Sequence, residues 1–117
     1  MPSRSAAKGA AFERLIVTYL RAELSAPHLT MPRAGARHDR GDIAGVRHWT
    51  FQAKAYADVA RGLREGLADL AVEQANTGTL FGGVLLKRIG RTDPAEQVLA
   101  MRLGDAVPLI RLSSEVP

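Results

Sequence analysis

Apolar side chains recur every three or four residues in two stretches of the chain, residues 6–25 and 57–76. This spacing predicts an amphipathic helix in each stretch, and Pro27 is expected to stop the first one. The predicted buried face of the second helix consists of Val59, Leu63, Leu67, Leu70 and Gln74. Its charged residues are expected to be solvated, namely Arg61, Arg64, Glu65, Asp69 and Glu73.

Shorter segments with β-favouring residues or alternating polarity separate and follow the two helices. They predict strands over residues 28–34, 42–45, 48–55, 80–88 and 96–103. The tail, 104–117, fits either a short helix or an edge segment. The element order is therefore α-β-β-β-α-β-β, which predicts an α/β fold with a mixed sheet flanked by helices. The second helix is expected to connect two parallel strands, 48–55 and 80–88.

Length and composition favour one globular domain over residues 1–117, with 1–5 disordered. The absence of cysteine excludes disulfides, Cys-ligated metals and thiol nucleophiles. No apolar run approaches the ~18 residues of a membrane span, and the N-terminus lacks the apolar region of a secretory signal. We therefore expect a cytoplasmic protein with no membrane partner.

The net charge of +4 lies entirely in the first half of the chain. Residues 1–58 hold nine Lys/Arg and five Asp/Glu, whereas residues 59–117 hold seven of each. Thirteen of the sixteen basic residues are arginine, the side chain suited to bidentate phosphate contact. This pattern favours a nucleic-acid partner, although a biased genomic composition would also explain it. The candidate contacts with the DNA backbone are Lys8, Arg33, Arg37, Arg40 and Arg47.

A predicted hairpin brings three polar residues together. If its turn centres on residue 47, Asp42 lies opposite Gln52, and Gln52 shares a face with Lys54. The alternate residues Trp49, Phe51, Ala53 and Ala55 then face the core.

Glu13 lies at the edge of the apolar stripe of the first helix and is expected to point toward this group. Two carboxylates and an amide oxygen are hard ligands that suit Mg²⁺ or Mn²⁺, and a neighbouring lysine can stabilise charge that develops on a phosphate. Each residue also has a simpler interpretation. Glu13 would be a solvated helix residue, Asp42 a turn cap, and Lys54 an edge lysine that opposes aggregation.

The segments Lys8-Gly9-x-x-x-Glu13, Arg40-Gly41-Asp42-Ile43 and Gln52-x-Lys54 resemble the motifs of the PD-(D/E)xK nuclease superfamily. The likeness is to its Holliday junction resolvase-like branch, including small nucleases of phages and actinobacteria. The end of the second helix, Glu73-Gln74-Ala75-Asn76, and the strand 83–88 are also similar to that group. The resemblance covers roughly residues 8–103.

The resemblance implies a restriction-endonuclease-like fold and a Mg²⁺- or Mn²⁺-dependent hydrolase that cuts phosphodiester bonds of branched DNA, such as four-way junctions in recombination. Carried over, Glu13, Asp42, Gln52 and the carbonyl of Ala53 are metal ligands, and Lys54 is the catalytic lysine. A homodimer is also implied, because symmetric cutting of two strands needs two sites related by a two-fold axis.

Gln52 stands where the family usually has glutamate, which removes one negative charge from the expected metal site. A catalytically weak or inactive DNA-binding module on the same fold is therefore an alternative. A third is a small interaction protein whose basic face binds an acidic partner. A steep salt dependence of phosphate binding would separate these two alternatives.

Overall fold

The computed structural model describes residues 4–31 and 42–115. Its helices and strands are α1 (Arg4–Glu23), β1 (Trp49–Lys54), α2 (Val59–Thr77), β2 (Phe81–Leu86), β3 (Val98–Ala100) and α3 (Leu103–Ser114). The α/β class is confirmed, but the order is α-β-α-β-β-α, so the predicted α-β-β-β-α-β-β is wrong. The expectation of disorder over 1–5 is also wrong in part, because α1 begins at Arg4.

Two of the predicted strands are replaced by single bridged pairs beside β1. Ile43 pairs with Phe51, and Ala44 pairs with Thr30 on the other side. Gly45, at a φ of 112°, turns the chain immediately after Ala44, so this segment is too short for a ladder. Of the predicted strand 28–34, the described part contributes only the bridge at Thr30, and residues 32–34 lie outside the described residues.

The sheet has the order β1-β2-β3. β1 and β2 are parallel, with Gln52 beside Val84, and they are connected through α2, as predicted. β3 runs antiparallel to β2. It is shorter than the predicted strand 96–103, because a 3₁₀ turn at Pro94–Glu96 precedes it and α3 begins soon after it.

The ends of α1 and α2 are fixed by local hydrogen bonds. The carboxylate of Asp58 accepts the N–H of Arg61 (3.1 Å) and caps the start of α2. At the end of α1, Ser25 adopts a left-handed conformation (φ 49°), and the Ala26 N–H donates to the Arg21 carbonyl (3.0 Å). This Schellman-type closure ends α1 before Pro27 is reached.

Apolar side chains pack on both sides of the sheet. On one side, α1 covers β1 in a cluster whose buried members are Phe12, Ile16, Val17, Ala26, Leu29, Ile43, Phe51 and Leu85. Trp49, Ala53 and Ala55 pack against this cluster, which confirms the predicted core face of β1. On the other side, a smaller cluster contains Leu70, Val84 and Leu86. Within 4–31 and 42–115, no helix combines the length and the apolar character that a membrane crossing requires.

The buried face of α2 differs from the prediction. Gly62, Gly66, Leu70 and Glu73 are its buried residues. Val59, predicted to be buried, is 45% exposed, and Glu73, predicted to be solvated, is 6% exposed. Apolar periodicity alone did not locate this face, because two glycines without side chains bring the helix backbone close to the sheet.

Candidate active site

Asp42 is fixed to β1 by main-chain and side-chain hydrogen bonds. The Ile43–Phe51 bridge is antiparallel, so Asp42 lies opposite Gln52, as the predicted hairpin required. The Asp42 N–H donates to the Phe51 carbonyl (2.8 Å), and the Asp42 carboxylate oxygen Oδ2 accepts the Ala53 N–H (2.8 Å). Because both polar groups of a strand residue point to the same side, the Ala53 carbonyl faces this side as well.

Gln52 and Lys54 share the face of β1 that α2 covers. Gln52 is 5% exposed, and the Lys54 side chain is 15% exposed. Added Cβ atoms at Gly62 and Gly66 would lie 3.3 Å from Lys54 Cβ and 3.4 Å from Lys54 Cγ. These distances place the lysine stem directly against the α2 backbone.

One cleft of about 830 Å³ collects the candidate residues from three parts of the chain. Glu13 enters it from α1 and is 4% exposed. Its lining includes every residue predicted to bind metal or to catalyse, Glu13, Asp42, Gln52, Ala53 and Lys54. The burial of Glu13 argues against its interpretation as a solvated helix residue. Asp42 is half-buried and hydrogen-bonded to β1, which argues against its interpretation as a free turn cap.

Five further charged or titratable residues line the cleft and were not predicted to belong to the site. Arg61, Asp69 and Glu73 come from α2, and Tyr56 and Asp58 lie between β1 and α2. The available signal was the spacing of Gly62 and Gly66, which are four residues apart and therefore lie on one helix face. A glycine face favours close packing against the sheet, and Glu73 lies on the same buried face.

Lys54 has a charged partner at the edge of the cleft. Its ammonium donates to Asp69 Oδ2 at 2.6 Å. Burial lowers the pKa of Lys54, but the hydrogen bond and charge of Asp69, with Tyr56 and Asp42, raise it, and the net pKa lies above its ordinary value. The lysine is therefore a cation at neutral pH.

Tyr56 contacts three charged residues in and beside the cleft, Lys54, Arg61 and Glu65. Lys54 Nζ lies 5.7 Å from the ring centroid, and the Arg61 guanidinium lies 4.9 Å from it. The Tyr56 hydroxyl donates to Glu65 (2.9 Å), and Arg61 donates to the other oxygen of that carboxylate (2.6 Å). These hydrogen bonds, first from Arg61 and then from Tyr56, lower the pKa of Glu65.

The expected contacts with the DNA backbone are only partly described. Lys8 is exposed and lines the cleft, and Arg47 is exposed beyond it. Arg33, Arg37 and Arg40 lie outside the described residues.

Comparisons with known proteins give no assignment. Neither family models, nor curated proteins, nor solved structures match the chain. Interpretation of the cleft therefore rests on its residues and their geometry.

The oxygen donors of the cleft suit a hard divalent cation. Glu13 and Asp42 supply carboxylates, Gln52 an amide oxygen, and Ala53 a carbonyl on the Asp42 side. Among the described residues, no group of three or more histidines and carboxylates is arranged to hold a metal ion. In chemical kind, two carboxylates and two neutral oxygens suit Mg²⁺ or Mn²⁺, and their low charge predicts weak affinity.

Proposed function

We propose that the protein is a Mg²⁺- or Mn²⁺-dependent DNA endonuclease that hydrolyses phosphodiester bonds, with branched DNA such as a four-way junction as its substrate. The observation that carries this proposal is the cleft itself. Residues from α1, the 42–44 segment and β1 line this one cleft, which supports the proposal because the resemblance to PD-(D/E)xK nucleases implies that they share a site.

In this proposal, each residue has a separate task. Glu13, Asp42, Gln52 and the Ala53 carbonyl would hold the cation, which supplies a polarised water and neutralises phosphate charge. Lys54 donates hydrogen bonds to a non-bridging phosphate oxygen and stabilises the charge that accumulates when water attacks phosphorus. The Ala53 N–H fixes one Asp42 oxygen and so orients the carboxylate.

The same observations favour a second candidate function, a DNA-binding module with weak or no catalysis. Gln52 deprives the cleft of a third charged ligand, which weakens the attraction for a divalent cation. A homodimer belongs to the nuclease proposal, because two cuts placed symmetrically need two copies of the cleft. The mass of the protein in solution, measured by light scattering, checks this expectation.

The decisive experiment is cleavage of labelled linear, flap and four-way DNA with Mg²⁺, Mn²⁺ or EDTA. We expect metal-dependent cleavage by the parent, and its loss in Asp42→Asn and Lys54→Ala. Asn retains the shape and capping capacity of Asp, so loss in Asp42→Asn separates a metal ligand from a turn cap.

If Asp42→Asn cuts as well as the parent, the nuclease proposal is wrong. Binding of every DNA without cleavage of any would favour the second candidate function instead. Arg111→Ala, on α3, serves as a control variant because it changes a charge away from the cleft lining.

A further inference from the structure

The stem of Lys54 is held by the backbone of α2. An added Cβ at Gly62 would lie 3.3 Å from Lys54 Cβ, and one at Gly66 would lie 3.4 Å from Lys54 Cγ, so the helix backbone packs closely on the aliphatic part of the lysine. An added Cβ at Gly66 would also meet Val84 Cγ1 at 2.4 Å. The helix therefore approaches the sheet closely because Gly66 has no side chain, and this approach restricts the path of the lysine side chain.

The ammonium group at the other end of the Lys54 side chain forms an ion pair with Asp69. The carboxylate is 52% exposed and the lysine side chain only 15% exposed, so the acid lies at the rim and the ammonium inside. An ammonium has three N–H donors, and Asp69 takes one of them at 2.6 Å. The ammonium therefore keeps donors for a further ligand while its position is fixed.

We propose that Asp69 is a positioning residue, which holds the Lys54 ammonium in place for the phosphate of the DNA substrate. This inference rests on the proposed nuclease function. Its physical basis is preorganisation: a lysine chain restrained at its stem and at its head loses little further freedom when it binds a phosphate oxygen.

The test compares Asp69→Asn, Asp69→Glu and Asp105→Asn. Asp105 is a matched control, because it is also a helix aspartate in an ion pair, with Arg102 at 3.0 Å, but does not line the cleft. Single-turnover cleavage at saturating DNA and Mg²⁺ gives the rate of the chemical step, and a separate titration gives the Kd for DNA. Thermal unfolding checks that each variant is folded.

We expect Asp69→Asn to slow the chemical step by about 10- to 100-fold, the size of effect that a displaced catalytic group produces. The Kd for DNA should change less than the rate, and Asp105→Asn should match the parent. Asp69→Glu restores a carboxylate with a longer reach, so it should recover most of the rate. An ion pair that only stabilised the fold would instead lower the unfolding temperature of Asp69→Asn and leave the rate of the folded variant unchanged.

A second measurement follows Lys54 directly, without cleavage. In protein labelled with ¹⁵N-lysine, the Lys54 ammonium should give a protected signal in the parent and in Asp69→Glu, and lose it in Asp69→Asn. Equal or faster cleavage by Asp69→Asn, or an unchanged ammonium signal, would overturn the positioning role alone. A parent that cuts no DNA under any condition would instead overturn the proposed function on which this role depends.

Discussion

Gln52 decides the charge of the candidate metal site. Its side chain is buried opposite Asp42, in a cleft that also contains the buried carboxylates of Glu13 and Glu73. A neutral amide at this position reduces the repulsion among the acids when no cation is present. The same neutrality reduces the attraction for a divalent cation. Gln52 therefore lowers the metal affinity of the cleft and stabilises the metal-free fold.

Gln52→Glu should increase the affinity for Mg²⁺ and decrease the stability of the metal-free protein. We expect more cleavage at low Mg²⁺, because a third carboxylate strengthens cation binding. In EDTA, we expect a loss of about 1–3 kcal/mol in the free energy of unfolding, the usual cost of a buried polar group without compensation. Burial and neighbouring acids raise the pKa of the introduced carboxyl, so this loss should shrink as the pH falls and the group becomes protonated.

Urea unfolding of the parent and Gln52→Glu, each with EDTA and with Mg²⁺, measures the stability effect. The comparison is internally controlled, since Mg²⁺ should reduce the difference between the two proteins. An equal difference with and without Mg²⁺ would show that residue 52 does not face a cation.

At the residue scale, strand geometry predicted a good part of the site. The turn centred on residue 47 gave the pairing of Asp42 with Gln52, and the two-residue period of a strand gave the core face of Phe51. Asp69 and Glu73 could not be found in this way. Their places depend on how α2 is rotated against the sheet, and that rotation is set by the glycines.

At the element scale, the packing of α2 determines the shape of the cleft. Gly66 lies over β2, where an added Cβ would be 2.4 Å from Val84 Cγ1. Real Cβ atoms do not approach a methyl group so closely, so any side chain here moves α2 or Val84. Because Lys54 lies beneath the same helix face, a movement of α2 would also loosen the packing on the lysine side chain.

Gly66→Ala should therefore destabilise the protein although alanine favours a helix by about 1 kcal/mol over glycine. We expect a net loss of roughly 1–3 kcal/mol in the free energy of unfolding, as in other overpacked cores. Gly104→Ala in α3 is the matched control, since an added Cβ there has no neighbour within 4 Å. Thermal or urea unfolding of both variants provides the comparison, and a Gly66→Ala variant as stable as the parent would contradict the close packing.

The element predictions succeeded where long patterns were available. Both long helices and the parallel pair 49–54 and 81–86 were identified from periodicity and β-favouring residues. The segments around Thr30 and Ile43 were wrongly predicted as strands, because local propensity cannot show that only one residue pair will form at each. The tail, left open between helix and edge segment, is α3 despite Pro108 inside it.

At the scale of the whole molecule, the acidic cleft and the net positive charge of the chain have opposite effects on a phosphate backbone. The cleft interior contains Glu13, Asp42 and Glu73, which repel a phosphate backbone in the absence of a cation. Under the proposed function, exposed basic residues must therefore offset these acids, and the chain has its excess of arginine and lysine in residues 1–58. Lys8 is the described residue that best fits this role, because it is exposed and lines the same cleft.

Lys8→Ala should weaken binding to linear, flap and four-way DNA by similar factors, since a phosphate contact carries no base information. The slope of log K against log salt concentration should fall by about one unit, the contribution of one phosphate contact. Fluorescence anisotropy over a series of salt concentrations, with Ca²⁺ in place of Mg²⁺ to prevent cleavage, measures both quantities.

Arg111→Ala removes an equal charge from α3, outside the cleft lining, and should leave the slope unchanged. An unchanged slope in Lys8→Ala would place the DNA backbone on another surface, whereas equal effects in both variants would indicate a response to net charge alone.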